Sequence, residues 1–140
     1  LYIKTAKIPG LMMRKVLHSK IHQAVVTEAR PDYSGSLTID VNLLRKCGMR
    51  ASDAITIANC TTGSRFETYV FEGEPGTGII GINGAAAHLA SVGDQVIIMH
   101  YAHLNEEEYE SHRPKILVMN SDNTIKESFH YEPSLSNQPI

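Results

Sequence analysis

The sequence predicts a mainly β protein folded as a compact barrel. Short apolar or β-branched stretches follow one another closely, and each is bounded by turn-forming residues such as Gly, Pro, Asn and Asp. Only brief stretches have helical character, and there is neither an internal repeat nor a linker. Many short strands with little helix are typical of a barrel. At 140 residues, the chain corresponds to a single domain.

The first half of the chain alternates predicted strands with turns and contains one helix. A turn signal, Arg30-Pro31-Asp32, follows the first strand. Asp40 is suited to cap a short helix over residues 41–47, which Gly48 would end in the left-handed conformation. Thr61-Thr62-Gly63 separates two β-branched stretches and predicts a hairpin. The predicted strands of this half span residues 20–27, 36–40, 53–59 and 65–71.

The second half follows the same plan. Asn83-Gly84 ends one strand, and residues 85–91 then predict one or two helical turns. Gly93-Asp94 turns the chain into a strongly apolar strand. Asn105 is suited to cap an acidic helical turn over residues 106–110. The predicted strands of this half span residues 79–82, 95–101 and 115–119.

Composition excludes several classes of protein. The net charge of −2 and the pI of about 6.4 give no basic surface for nucleic acid. The apolar runs are far shorter than the roughly 18 residues of a membrane span. Cys47 and Cys60 form no disulfide framework and predict free thiols in a reducing compartment. We therefore expect a soluble cytoplasmic protein with no nucleic-acid or membrane partner.

The two ends of the chain are set apart from the predicted domain. The chain begins at Leu1, and Met12 or Met13 is suited to be the natural start. We interpret residues 1–11 as a vector remnant or an N-terminal extension. Residues 132–140 are polar and contain two prolines, which predicts a flexible tail. The domain is expected to span residues 12–131.

Two patterns resemble cofactor or metal sites but predict neither. Gly76, Gly78 and Gly81 match the letters of a dinucleotide fingerprint, which requires a preceding strand and an opening helix. A proline precedes them and β-branched residues follow, so a turn is favoured. His100 and His103 point to opposite faces of the strand predicted there, and no third ligand is near them in sequence. We expect no metal.

Serine chemistry has two candidates on residue types alone. No G-x-S-x-G nucleophile motif is present, but Gly-Ser occurs at Gly35-Ser36 and at Gly63-Ser64. Glycine permits strained backbone angles, and a serine hydroxyl in a strained turn can attack the preceding carbonyl. Self-cleavage is therefore conceivable at either place. Spacing does not choose between them, and an ordinary turn is favoured for both.

Five short sequence blocks occur in order along the chain, and together they are more specific than any single motif. Together they closely resemble the aspartate 1-decarboxylase family of bacteria, over about residues 13–129. Asn-Gly-Ala-Ala-Ala-His and Tyr-x-Gly-Ser are specific in combination. The blocks are Ser19-Lys20-Ile21-His22, Tyr33-Ser34-Gly35-Ser36, the stretch from Asn59 to Tyr69, Ile82 to His88, and Ala90 to Asp94.

The resemblance implies an activity, a fold and an assembly. The activity is pyruvoyl-dependent decarboxylation of L-aspartate to β-alanine and CO₂, which supplies pantothenate biosynthesis. The fold is a six-stranded double-psi β-barrel with short helices, which agrees with a chain of many short predicted strands. Family members are typically homotetramers with active sites between neighbouring subunits. Some relatives need a maturation factor, and the sequence leaves open whether this chain does.

The resemblance also implies that the chain makes its own cofactor at Gly35-Ser36. The Ser36 hydroxyl attacks the Gly35 carbonyl to give an ester, and elimination followed by hydrolysis leaves a pyruvoyl group at the new amino terminus. That group forms a Schiff base with the substrate amine and accepts the electrons released by decarboxylation. Neither pyridoxal phosphate nor a metal is then needed. The sequence, with Ser36 in an unbroken chain, is that of the precursor.

The family's functional positions are all occupied by suitable residue types. Aspartate carries two carboxylates, so a selective site should offer two cations, and Lys20 and Arg65 match the substrate-binding positions. Tyr69 matches the proton donor, and Thr68 a position used in processing and substrate binding. In a regular strand Thr68 and Tyr69 would face opposite sides. The pocket lining implied by the resemblance is Asn83, Gly84, Ala85 and Ala86.

Two alternatives remain open at this point. The chain could be an unprocessed, non-catalytic psi-barrel binding module, since fold alone does not give function. It could also decarboxylate another acidic amino acid, such as glutamate, because pocket length is not legible in the sequence. The complete set of family residues argues against the first alternative.

Overall fold

A computed structural model describes residues 12–133 of the chain. The predicted extension 1–11 lies outside the described residues, as does the predicted tail except for Glu132 and Pro133. Within residues 12–133, no helix is long and apolar enough to cross a membrane.

The strands are β1 (Arg14–Val25), β2 (Glu28–Arg30), β3 (Ser36–Asp40), β4 (Ala54–Asn59), β5 (Arg65–Gly73), β6 (Ile80–Asn83), β7 (Gln95–Leu104), β8 (Lys115–Met119) and β9 (Ile125–His130). The helices are α1 (Val41–Cys47), α2 (Glu106–Ser111) and a 3₁₀ helix (Gly84–His88).

The strands pair in the order β2-β6-β3-β5-β4-β7-β1-β8-β9. Most neighbours are antiparallel, but β1 runs parallel to β8, β3 to β5, and β2 to β6. Parallel neighbours require crossover connections, which fit the interlocked topology expected for a double-psi barrel. The mainly β fold with short helices is confirmed.

The core lies on the inward face of this strand array. Alternating residues of each central strand are fully buried, as expected for strands with one face packed inside. The largest wholly buried side chains include Ile21, Leu37, Ile57, Ile82, Ile98 and Leu117. These residues fix which face of β3 and β6 looks outward, and that face carries the candidate site.

The helix signals in the sequence are confirmed in detail. Asp40 caps α1 by accepting a hydrogen bond from the Asn42 amide, and Gly48 ends the helix at φ +81°. Asn105 forms a capping box with Glu108 at the start of α2. The predicted turn at 85–91 is a 3₁₀ helix that begins at Gly84.

Two strands were not predicted. β2 has only three residues, and five of the six side chains of β9 are exposed. An edge strand with polar side chains lacks the apolar alternation that identifies a strand in sequence. β1 also starts earlier than residue 20, at Arg14, because its first half pairs with the last residues of β7.

The glycines of the apparent dinucleotide fingerprint form a turn, as predicted. Gly76 and Gly78 donate their backbone N–H groups to the two carboxylate oxygens of Asp40, at 3.1 and 2.9 Å. Gly81 lies inside β6. The backbone donors that a phosphate would use are therefore occupied by a carboxylate of the same chain.

Candidate active site

Ser36 is the first residue of β3 and is almost completely buried, with 4% of its surface exposed. It pairs with Asn83, the last residue of the antiparallel neighbour β6. The Asn83 side-chain amide donates a hydrogen bond to Ser36 Oγ at 3.0 Å. A buried serine with its hydroxyl oxygen held by a fixed donor is oriented rather than free to rotate.

The peptide preceding Ser36 lies directly against Gly84. A Cβ atom at position 84 would lie 2.6 Å from the Gly35 Cα and 2.8 Å from the Gly35 nitrogen. Gly84 also has φ +75°, a conformation that other residues adopt only with strain. Only glycine at this position allows the start of the 3₁₀ helix to pack on Gly35. We name the group Gly35, Ser36, Asn83 and Gly84 the cleavage corner, after the self-cleavage that the family resemblance predicts there.

Tyr69 lies beside the cleavage corner on the other neighbour of β3. Leu37 pairs with Val70 in the parallel register of β3 and β5, so Ser36 and Tyr69 are adjacent at the start of that pair. Both lie on the outward face, because Leu37 and Val70 are buried. Tyr69 is 43% exposed, so its phenol is accessible from solvent.

Thr68 faces the opposite side of β5 from Tyr69. It pairs with Ile55, which is buried, whereas Tyr69 pairs with the exposed Ala54. The strand is regular here, so the alternation predicted from the sequence is confirmed. The chain therefore does not bring Thr68 and Tyr69 onto one face.

Lys20 and Arg65 lie outside the strand pair β3–β6 that forms the cleavage corner. Lys20 lies on β1, and β7, β4 and β5 intervene between β1 and β3. Arg65 begins β5, about 13 Å along the strand from Tyr69 at about 3.3 Å per residue. Among residues 12–133, neither cation forms an ion pair. We name Lys20 and Arg65 the unpaired cations.

Arg65 lines an open pocket of about 490 Å³ at the start of β5. Glu67 is the acidic residue in its wall, and Lys15 is a second cation there. The Lys15 ammonium lies 5.2 Å from the centre of the Tyr101 ring, a cation–π distance. The pocket is therefore a shallow, mainly cationic surface.

The remaining predicted positions lie in the 3₁₀ helix. Ala85 is exposed, and Ala86 is half-buried against the core. Asn83 precedes the helix and makes no side-chain capping bond to it, because its amide is directed to Ser36 instead. Gly84 is buried against Gly35, whereas the small side chain of Ala85 leaves the next residue of the helix exposed.

His22 belongs to the environment of Lys20 and was assigned no role from the sequence. Burial and the neighbouring Lys20 charge both lower the pKa of His22, burial being the larger cause. Its Nδ1 is buried and has no hydrogen-bond partner. The spacing Lys20-Ile21-His22 could have revealed this, since residues two apart on a strand share a face.

Three histidines that are far apart in sequence form a cluster of their own. His18 Nδ1 and His100 Nδ1 are 3.1 Å apart, and the His18 ring stacks on His112 with centroids 6.0 Å apart. His100 Nε2 lies 3.4 Å from the Asp53 carboxylate. His103 faces away and is exposed, as the strand prediction required. Within residues 12–133, no group of three or more His, Cys, Asp or Glu side chains is placed to bind a metal ion.

Burial lowers the pKa of both His18 and His100. For His18 the charges of His100 and His112 lower the pKa further, while Asp53 opposes the shift. For His100 the Asp53 carboxylate is again the opposing influence. The surroundings of His18 and His100 therefore disfavour the protonated forms of these two residues.

Known proteins resemble this chain in sequence over most of its length. The sequence model of the family described as "Aspartate decarboxylase" matches residues 12–126. Aspartate 1-decarboxylases of Staphylococcus aureus strains MSSA476 and JH9 are 50% identical over 119 residues, or 85% of this chain and 94% of theirs. Among solved structures, the designed mkDPBB_sym1 protein has a TM-score of 0.45 and 24% identity, over 62% of this chain and 99% of that one.

Proposed function

The chain belongs to the aspartate decarboxylase family, and we propose that it becomes active by cutting itself between Gly35 and Ser36. Its reaction is that of the family, the decarboxylation of L-aspartate to β-alanine by a carboxy-lyase. The observation that supports self-cleavage is the cleavage corner, where a buried serine hydroxyl is held by Asn83 beside a closely packed glycine. Gly63-Ser64, the other Gly-Ser pair, lies in an exposed turn with nothing within 4 Å of a Cβ placed at Gly63.

The residues around Ser36 fit a pyruvoyl group at that position. When formed, the group supplies a carbonyl that condenses with the substrate amine and accepts the electron pair left by CO₂. Asn83 from β6 and the backbone at the start of the 3₁₀ helix would hold it. Tyr69 lies on the same outward face and is suited to return a proton.

Lys20 and Arg65 are proposed to bind the two substrate carboxylates. Both are cations without an internal ion-pair partner in the described part of the chain, and the guanidinium of Arg65 suits a carboxylate. Because the strand order separates Lys20 from Ser36, we propose that a neighbouring copy completes each site in a homotetramer. Exposed Tyr69 and Phe71, 43% and 58% accessible, provide apolar surface beside Ser36 for that contact.

A denaturing intact-mass spectrum tests the proposal directly. We expect two chains, one ending at Gly35 and one beginning at position 36 that is lighter by one ammonia than a serine-started peptide. Ser36→Ala should remain one chain and make no β-alanine. A single full-length mass for the unsubstituted chain, persisting after incubation with a bacterial extract that could contain a maturation factor, contradicts self-cleavage.

A second experiment locates the group that reacts with substrate. Borohydride added with aspartate should attach the substrate to the longer chain at its first residue. Attachment to Lys20 would refute the pyruvoyl assignment. Glutamate in place of aspartate should give little attachment, and equal attachment would broaden the substrate to acidic amino acids in general.

We propose a cytoplasmic setting from the state of the two cysteines. Cys47 is buried, Cys60 is exposed, and both are free thiols, as suits the reducing cytoplasm. Use of the β-alanine in pantothenate synthesis stays a prediction of the family resemblance.

A further inference from the structure

We propose that Thr38 is a positioning residue for self-cleavage, holding the Asn83 amide in the orientation that serves Ser36. This inference rests on the proposed self-cleavage. The Asn83 Nδ2 atom donates to Thr38 Oγ1 at 2.9 Å as well as to Ser36 Oγ at 3.0 Å. Thr38 lies two residues after Ser36 on β3, so both hydroxyls project from the same outward face.

The two hydrogen bonds use both hydrogens of one amide group. A side-chain –NH₂ has two N–H bonds in a fixed plane, so two acceptors define its direction more strictly than one. With the Thr38 oxygen in place, the second N–H of Asn83 is directed at Ser36 Oγ. Without that oxygen, the amide could rotate about its last torsion, which is broad for asparagine.

The surroundings of Thr38 leave its hydroxyl free for this role. On β6 its register partner is Gly81, which has no side chain to compete for Asn83. Its methyl group is on the side of Gly73, where an added Cβ would lie 3.0 Å from Thr38 Cγ2. The methyl thus packs against the backbone of β5 while the hydroxyl bonds to Asn83, and the two functions can be separated by substitution.

The step that Thr38 would assist is the attack of Ser36 on Gly35. Ser36 Oγ forms a bond to the Gly35 carbonyl carbon, the Gly35–Ser36 amide C–N bond breaks, and the hydroxyl proton passes to the freed amine. Loss of the Cα proton and cleavage of the Cβ–Oγ bond then release the Gly35 carboxylate and leave dehydroalanine. One water adds and one ammonia leaves, which gives the pyruvoyl terminus. An N–H directed at Ser36 Oγ orients the nucleophile for the attack, and it stabilises the negative charge that the same oxygen gains when it leaves as part of the Gly35 carboxylate.

Thr38→Val and Thr38→Ser separate the hydroxyl from the methyl group. Valine keeps the branched shape and removes the acceptor, whereas serine keeps the acceptor and removes the methyl. We expect Thr38→Val to slow the appearance of the two chains about fivefold or more, from the usual worth of a hydrogen bond. Thr38→Ser should cleave within about twofold of the unsubstituted rate on the same scale. Intact-mass spectra at intervals after cell-free synthesis of each precursor give the rates.

A parallel measurement separates positioning from folding. Both substitutions are also made in Ser36→Ala protein, which cannot cleave, and the thermal unfolding midpoints are compared. Slower cleavage of Thr38→Val with equal midpoints supports positioning.

Three results would overturn the inference. Equal cleavage rates for all forms would remove the role of Thr38 while leaving self-cleavage intact. Slow cleavage of Thr38→Ser as well as Thr38→Val would show that the methyl packing matters rather than the hydroxyl. Absence of cleavage in the unsubstituted chain would overturn the proposed function itself, and this inference with it.

Discussion

The cleavage corner and the unpaired cations differ in how far a single chain completes them. At the corner, Ser36 is buried, its hydroxyl is held by Asn83, and Gly84 packs on the peptide before it. Lys20 and Arg65 lie on other strands, and neither forms an ion pair within residues 12–133. The groups proposed for self-cleavage are thus assembled by one chain, whereas the two cations proposed to bind aspartate have no ion-pair partner among residues 12–133. We expect substitutions in the two regions to affect different steps.

The largest effect is expected from Gly84→Ala. A methyl group there must displace the backbone of Gly35 and also strain a residue at φ +75°. We expect the free energy of unfolding to fall by about 3 kcal/mol and cleavage to be lost. Chemical denaturation and intact mass measure the two quantities.

Gly63→Ala is the matched control for that substitution. Gly63 has φ +81°, but nothing lies within 4 Å of an added Cβ. It should cost only the conformational strain, about 1 kcal/mol, and leave cleavage normal. Equal effects at Gly63 and Gly84 would mean that strain, rather than contact with Gly35, explains the glycine at the corner.

Arg65→Ala should separate the two regions. We expect normal cleavage into two chains but a loss of about a hundredfold in kcat/KM for aspartate, because a carboxylate loses a charged, hydrogen-bonding partner. Lys20→Ala should behave in the same way. If the Arg65→Ala protein remained uncleaved, Arg65 would be needed for self-cleavage. The cleavage corner and the unpaired cations would then not serve separate steps.

Mixed oligomers test whether the two regions come from different copies. Ser36→Ala and Arg65→Ala proteins should each be nearly inactive. When the two are co-expressed, sites that combine the intact Ser36 of one copy with the intact Arg65 of another should regain about a quarter of the activity, as expected for random assembly of a shared site. Failure to regain activity in oligomers shown to contain both variants would place Ser36 and Arg65 of each site in the same copy.

The smallest effect is expected from mild acid, through the histidine cluster. His18 and His100 have pKa values lowered from 6.5 in the folded chain, chiefly by burial. The unfolded chain therefore binds more protons near pH 6, and stability present above about pH 6.5 is lost as the pH falls toward the folded pKa values. The unfolding midpoint should be lower at pH 5 than at pH 7.5, and less so in His100→Gln. An equal pH dependence in that variant would exclude the cluster as the cause.

The sequence predicted those parts of the molecule that depend on neighbours along the chain. Asp40 and Gly48 delimit α1 as expected, and the period of two correctly placed Thr68 and Tyr69 on opposite faces. These results follow from local capping and from strand geometry.

Features that depend on long-range pairing were not predictable in the same way. His18 and His100 are 82 residues apart in sequence, and only the pairing of β1 with β7 brings them together. Thr38 is linked to Ser36 only because β6 places the Asn83 amide where it bonds to both hydroxyls. The family resemblance named the site residues, but it could not show which of them one chain assembles.

The position of β1 inside the sheet determines how the protein could refold after cleavage. β1 lies between β7 and β8, and it belongs with β2 to the segment before Gly35. After a cut behind Gly35, the shorter piece would remain paired with strands of the longer piece. Only non-covalent contacts would then hold the two pieces together. Folding would have been unimolecular for the uncut chain, but after complete denaturation it would require two pieces to meet, and so would depend on concentration. Folding would therefore have to precede the cut. The mature enzyme would lack the covalent connection through which its two pieces first folded together.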